Sequence, residues 1–273
     1  MSTQTSAKEI QVHGNKIRYL DFDNLSSKKN ENLVFLHGIG ASAERWSNVI
    51  PFLSKHFRLI VPDIIGFGYS DKPTVEYNMP FFVKFLENFL NSLGIKKASI
   101  VGSSFGGLVA AEFAIKNSNM VDKLILVSPA GTMKSSTRTL EEYILASLYP
   151  THDNVWRAFI NMAFDPRTVT EQTIEDFIDR MKLPNAKYAF MSTMLGIRNT
   201  ANLSTRLGKI LSPTIIVWGE HDEMIPVKYA ADYRNIPNSN LQIIPKCGHT
   251  PFTEKPEAFS KIAIDFLRFN NIK

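Results

Sequence analysis

Short apolar runs recur along this chain with stretches of helical spacing between them, and that alternation constrains the fold more than any other feature. LVFL at 33–36, LIV at 59–61, SIV at 99–101, LILV at 124–127 and TIIVW at 214–218 are too short for helices and often β-branched. Runs of this kind, apolar on both faces and bounded by Gly, Pro or Asp, read as buried parallel strands. Residues 46–55, 80–93, 105–116, 226–234 and 256–269 carry helical periodicity. The alternation predicts an α/β fold, a mostly parallel central sheet flanked by helices on both faces. Ahead of it, residues 10–21 alternate around Gly14-Asn15 and predict a β-hairpin, followed by the polar loop SSKKNEN at 26–32.

The rhythm breaks once, between Gly131 and Ser212, where about eighty residues show helical patterns and no convincing strand. This predicts a core made of residues 1–131 and 212–273 with a helical cap, 132–211, inserted between two core strands. The cap holds five of the nine methionines and many aromatics. Most of these pack its own small core, and some face the seam with the main domain, where an apolar pocket is expected. With 273 residues, 44% of them hydrophobic, the chain can bury a core of this size.

Several function classes are excluded on composition. The opening MSTQTSAKE lacks the basic start and apolar stretch of a signal peptide, and no apolar run approaches the roughly eighteen residues that span a bilayer. The expectation is a soluble, cytoplasmic protein with no membrane span. One cysteine, Cys247, rules out an internal disulfide and any CxxC site. The net charge of +5 and the pI near 9.1 come from scattered basic residues without interleaved aromatics, so no nucleic-acid partner is expected. A homodimer is compatible with the sequence.

The stretch VGSSFGG at 101–107 follows a strand and opens a helix. Only one frame reads GxSxG: Gly102 and Gly106 flank Ser104, whereas centring on Ser103 requires glycine where Val101 and Phe105 stand. A sharp strand-to-helix turn exposes its central side chain beside a helix N-terminus, and flanking glycines permit the close backbone approach. Ser104 is therefore the candidate nucleophile. A hydroxyl needs a base, and the base needs an orienting carboxylate. His249, in KCGHTP after the apolar run 241–244, and Asp222, in WGEHDE, both follow predicted strands. His13, His56 and His152 read as ordinary surface or core histidines, and Glu220 is a minor rival to Asp222. The order Ser104, Asp222, His249 is that of an α/β-hydrolase triad. An oxyanion requires two preorganised N–H donors. These are assigned to Phe105 and, in the loop His37-Gly38-Ile39-Gly40, to Ile39, with His37, Gly38 and Gly40 supporting that loop.

From about Gln11 onward the chain resembles the α/β-hydrolase superfamily. The motifs carrying the resemblance are HGIG at His37, DIIGFGYS at Asp63, GSSFGG at Gly102, GEHD at Gly219 and GH at Gly248. The resemblance implies the same triad, oxyanion-hole and cap roles for the residues already named. Serine at 104 sets the chain apart from dehalogenases and epoxide hydrolases of this fold, which carry aspartate there. It also resembles the carbon–carbon bond hydrolases of meta-cleavage pathways in SFGG, in the placement of the cap and in GEHDEMIP. That branch typically has asparagine before the serine and tryptophan after the histidine, where this chain has Ser103 and Thr250.

These two departures favour a carboxylesterase-like serine hydrolase that acts on small-molecule esters or lactones through an acyl-enzyme, with no metal and no organic cofactor. The alternative is carbon–carbon cleavage of the meta-cleavage type, with Arg157, Arg167, Arg180 or Arg198 of the cap holding a substrate carboxylate. A non-catalytic ligand-binding member of the fold is a further alternative. Gly38-Ile39-Gly40-Ala41-Ser42-Ala43, with Asp63 downstream, also matches a dinucleotide fingerprint on paper. That reading leaves GSSFGG, GEHD and GH as coincidences.

Overall fold

The computed structural model describes residues 7–23, 32–200 and 202–269. The polar loop expected at 26–32, apart from Asn32, and the first six residues of the opening stretch lie outside the described residues. In chain order the elements begin with β1 (Lys8–Val12), β2 (Asn15–Phe22), β3 (Asn32–Leu36), α1 (Ile50–Leu53), β4 (Arg58–Pro62) and α2 (Met79–Ser92). There follow β5 (Ala98–Ser103), α3 (Phe105–Lys116), β6 (Val121–Val127), α4 (Arg138–Leu148), α5 (His152–Met162), α6 (Glu171–Lys182) and α7 (Ala186–Asn199). The chain closes with β7 (Thr214–Gly219), α8 (Ala230–Tyr233), β8 (Ser239–Ile244), α9 (Pro251–Glu254) and α10 (Pro256–Phe269).

The strands form one eight-stranded sheet in the order β1-β2-β4-β3-β5-β6-β7-β8. β2 pairs antiparallel with β1 and β4, and every pairing from β4 to β8 is parallel. The pleat divides the apolar residues between two cores. Val34, Leu36, Ile100, Leu124, Leu126 and Trp218 face the side covered by Phe82 and Phe89 of α2 and Val109 of α3. Leu33, Phe35, Val101, Ile125, Val127 and Val217 face the side covered by Trp46, Leu53 of α1 and Phe259 of α10. Residues Phe105–Ala114 of α3 are all buried, and the helix is rich in Gly and Ala because it is packed on every side. The helices α4, α5, α6 and α7 lie between β6 and β7, and no strand occurs there among the described residues.

Three local expectations shift. The hairpin turn is His13-Gly14, one residue earlier than expected: Val12 pairs with Asn15, and the φ values of 48° and 81° at the turn suit the right-handed twist of the strands. The helix expected at 46–55 is a 3-10 turn at Ala43–Trp46 followed by the four-residue α1. Pro51 has no N–H to continue a helix from residue 47. The helix expected at 226–234 is a 3-10 turn, Val227–Tyr229, joined to the short α8. Among the described residues no helix is long and apolar enough to cross a membrane.

Candidate active site

The end of β5 meets the start of α3 in a turn that only the GxSxG frame around Ser104 allows. A Cβ on Gly102 would lie 2.3 Å from the Gly106 carbonyl oxygen, and one on Gly106 would lie 2.3 Å from that of Leu36. Strand, helix and the end of β3 thus touch backbone to backbone. Ser104 is held at φ 53° and ψ −116°, a conformation that L-residues rarely adopt. Its N–H donates to the Val127 carbonyl at 2.9 Å, and its carbonyl accepts from Leu108 at 3.1 Å and Ala130 at 3.0 Å. Ser103 is the last residue of β5 and is buried.

Asp222 and His249 meet across the ends of β7 and β8. The His249 Nδ1 lies 2.8 Å from Asp222 Oδ2, and both side chains are almost completely buried. Asp222 Oδ1 accepts from the backbone N–H groups of Met224 at 3.0 Å and Ile225 at 2.9 Å, which fixes the carboxylate. The two loops come this close because residue 219 is glycine: a Cβ there would sit 1.9 Å from the Gly248 carbonyl oxygen. His249 Nε2 is buried without a hydrogen-bond partner and lines one cavity with Ser104. With Nδ1–H donating its hydrogen bond to Asp222, Nε2 presents the lone pair that a general base uses. The rival acid Glu220 is exposed, close to His221 and bonded to the Lys246 N–H.

The loop after β3 approaches the same cavity. His37 is buried and neutral: its Nε2 accepts from the Ile64 N–H at 3.0 Å, so Nδ1 donates to the Gly38 carbonyl at 2.8 Å. Burial lowers its pKa, which keeps this tautomer in place and gives His37 a part in holding the loop. Among the described residues, the N–H groups of Ile39 and Phe105 donate to no other group, which leaves both available to an oxyanion. Gly40, at φ 72°, packs against Tyr143 of α4, whose hydroxyl donates to the Ile39 carbonyl at 2.7 Å. Asp63 accepts from the Ala43 N–H at 2.7 Å, the Tyr69 N–H at 2.9 Å and Arg18 at 3.0 Å. It is fully buried, and its oxygens are unavailable to a ribose.

Ser104 stands where two cavities meet. One, about 490 Å³ including the space open to solvent, is lined by Ser103, His249, Thr250, Phe177, Arg45 and Arg180. The other, about 1270 Å³ including its open mouth, is lined largely by apolar side chains such as Met133, Leu140, Met194 and Ile197. Of Arg157, Arg167, Arg180 and Arg198, Arg180 alone is buried, at 5% exposure, and among the described residues it has no ion-pair partner. Its Nε has no hydrogen-bond partner either. Arg167 pairs with Asp165 at 2.7 Å, while Arg157 and Arg198 are exposed. Sequence reasoning missed Arg45, Tyr143 and Glu254. Only Arg45 carried a readable signal, being a basic residue in a strand-end loop eight positions beyond His37.

Known proteins share this fold. The family model described as alpha/beta hydrolase fold matches residues 31–256. A 2-hydroxy-6-oxo-6-(2'-aminophenyl)hexa-2,4-dienoic acid hydrolase of Metapseudomonas resinovorans is 29% identical, over 94% of this chain and 89% of its own. A 2-hydroxy-6-oxononadienedioate/2-hydroxy-6-oxononatrienedioate hydrolase of Dechloromonas aromatica is 30% identical, over 87% of this chain and 86% of its own. The solved meta-cleavage product hydrolase of Pseudomonas fluorescens superposes with a TM-score of 0.84 at 26% identity, covering 97% of this chain and 98% of that one. These relatives overturn the expectation of a carboxylesterase or lactonase, since they are named for dienoate hydrolysis. The expectation rested on Ser103 and Thr250 as missing substrate contacts, and it had no view of the burial of Arg180 in the same cavity. Matched over most of its length, and built on one mostly parallel eight-stranded sheet, the chain belongs to the α/β-hydrolase fold family.

Proposed function

We propose that this hydrolase cleaves a carbon–carbon bond in a 2-hydroxy-6-oxo-2,4-dienoate, a meta-cleavage product, releasing a carboxylic acid and a 2-hydroxydienoate. The observation that carries the reading is Arg180, a buried guanidinium without a carboxylate partner in the wall of the cavity that holds Ser104 and His249. A buried cation left unpaired is costly, and an anionic substrate group placed on it removes that cost. The names of the relatives point to the same substrate class. Residues 132–211 would serve as the cap over this cavity, and Ser104, His249 and Asp222 as the triad.

With the substrate carboxylate on Arg180, the C6 ketone lies against Ser104 and the N–H groups of Ile39 and Phe105. In the 2-oxo tautomer, C5 is a methylene between the C6 carbonyl and the C3–C4 double bond. His249 Nε2 takes the Ser104 proton as Oγ adds to C6, and the two N–H groups receive the charge on the C6 oxygen. Collapse restores that carbonyl as an acyl ester of Ser104 and breaks the C5–C6 bond. The electron pair passes through C4 and C3 to the C2 oxygen, giving a dienolate that His249 protonates. Water then hydrolyses the acyl ester with His249 again acting as base. The test is to supply the 6-phenyl dienoate, follow the loss of its absorbance and identify the products. Benzoate and 2-hydroxypenta-2,4-dienoate in equal amounts are expected; no cleavage at millimolar substrate overturns the proposal.

A further inference from the structure

A second cation without an acidic partner stands in the same cavity. Arg45 lies on the 3-10 turn Ala43–Trp46, and among the described residues its side chain makes no ion pair or hydrogen bond. The acids nearby are engaged elsewhere. Glu44 is held by Arg18, and Glu254 accepts from the backbone N–H groups of Gly248 at 3.0 Å, Phe164 at 2.8 Å and Asp165 at 3.3 Å. What positions Arg45 is an aromatic face: its guanidinium carbon lies 5.7 Å from the centroid of the Phe159 ring. An aromatic face orients a cation without neutralising it. Burial lowers the Arg45 pKa to about 10, and Arg180 adds to that lowering while Tyr143 and Glu254 oppose it. Arg45 remains charged at neutral pH, so the cavity presents two guanidinium groups and no acid bonded to either.

One carboxylate accounts for one of them. The proposed reaction supplies a second anionic group at a fixed place, because cleavage delivers the electron pair to the oxygen on C2, next to the carboxylate. A planar guanidinium is suited to an oxygen of this kind beside a carboxylate already held by Arg180. Resting on that proposed reaction, we infer that Arg45 binds the C2 oxygen of the substrate and makes the site selective for acids oxygenated next to the carboxylate.

The test uses pentanoate and 2-oxopentanoate, which carry no scissile bond, in calorimetric titrations of the whole protein. Wild type is expected to bind the 2-oxo acid about tenfold more tightly. Arg45→Gln should bring that ratio close to one while pentanoate binding changes by less than about threefold, whereas Arg180→Gln should weaken both acids and leave the ratio in place. Arg45→Met, which keeps the packing against Phe159, guards against misfolding and should behave like the Gln variant. An unchanged preference in either Arg45 variant overturns the inference. So does a wild type without preference, including one that binds neither acid. Failure of wild type to cleave the dienoate would instead overturn the proposed reaction. An unchanged preference in an Arg45 variant that still cleaves it removes Arg45's role alone.

Discussion

Adjacent serines are separated here by backbone geometry alone. Ser103 ends β5 in the extended conformation of a strand, while Ser104 sits at φ 53°, a departure that costs on the order of 1–3 kcal/mol and persists because the hydrogen bonds of Val127, Leu108 and Ala130 hold it. That turn presents the Ser104 hydroxyl at the junction of the two cavities. Replacing Ser104 by Ala should lower kcat on the dienoate by roughly 10⁴-fold or more, since the attacking oxygen is lost. Ser103→Ala removes only a wall group of one cavity and should stay within about tenfold of wild type. Steady-state kinetics of both variants decide the assignment, and a Ser104→Ala enzyme with near-normal kcat sinks it. The frame was legible because glycines at 102 and 106 are irreplaceable: Cβ atoms there would overlap backbone oxygens.

Pairing between strands explains both what the sequence disclosed and what it withheld. The core strands and α3 were legible, the latter to the residue, because burial on two faces produces continuous apolar runs and a buried helix a compact Gly- and Ala-rich one. The two short helices were overread, since periodicity near Trp46 and Tyr229 reports burial in a 3-10 turn as readily as in an α-helix. Long-range pairs leave no such pattern. Asp21 of β2 shows this: it accepts two bonds from Arg58 of β4, at 2.9 and 3.0 Å, and one from Lys8 of β1 at 2.8 Å. Burial raises the Asp21 pKa, but the bonds from Arg58 and Lys8 outweigh it and the net shift is downward. A lowered carboxylate pKa stabilises the fold above the ordinary value of 3.8, and the stabilisation is lost as pH falls through the lowered folded value. Asp21→Asn should therefore cost roughly 1–2 kcal/mol at neutral pH, a figure kept small because Lys8 and Arg58 are partly exposed. The gap in urea midpoint between the two proteins should close as pH drops below about 4. A gap that stays constant into acid would contradict the assignment.

At the scale of the whole molecule, the helical segment between β6 and β7 grips both halves of the site. The Met162 carbonyl, at the end of α5, accepts from the His249 N–H at 2.9 Å, and Glu254 ties Phe164 and Asp165 to Gly248. On the other side, Tyr143 of α4 donates to the Ile39 carbonyl, in the loop that carries one proposed oxyanion donor. None of this was legible in the sequence, because Tyr143 and Ile39 lie 104 positions apart and only the packing of α4 over the β3 loop joins them. Burial pushes the Tyr143 phenol up to about 12, so it remains a donor throughout the neutral range. Tyr143→Phe removes that donor and leaves the Ile39 carbonyl buried without it, at a cost of about 1–3 kcal/mol. Since the bond orients the loop, and phenylalanine keeps the ring in the cavity wall, the loss should fall on kcat, by about three- to tenfold, with KM nearly unchanged. The ratio of variant to wild-type kcat should also be flat from about pH 6 to pH 9, because the phenol does not ionise there. Equal kcat values, or a ratio that changes across that range, would show that α4 does not set the geometry of the loop after β3 through this hydroxyl.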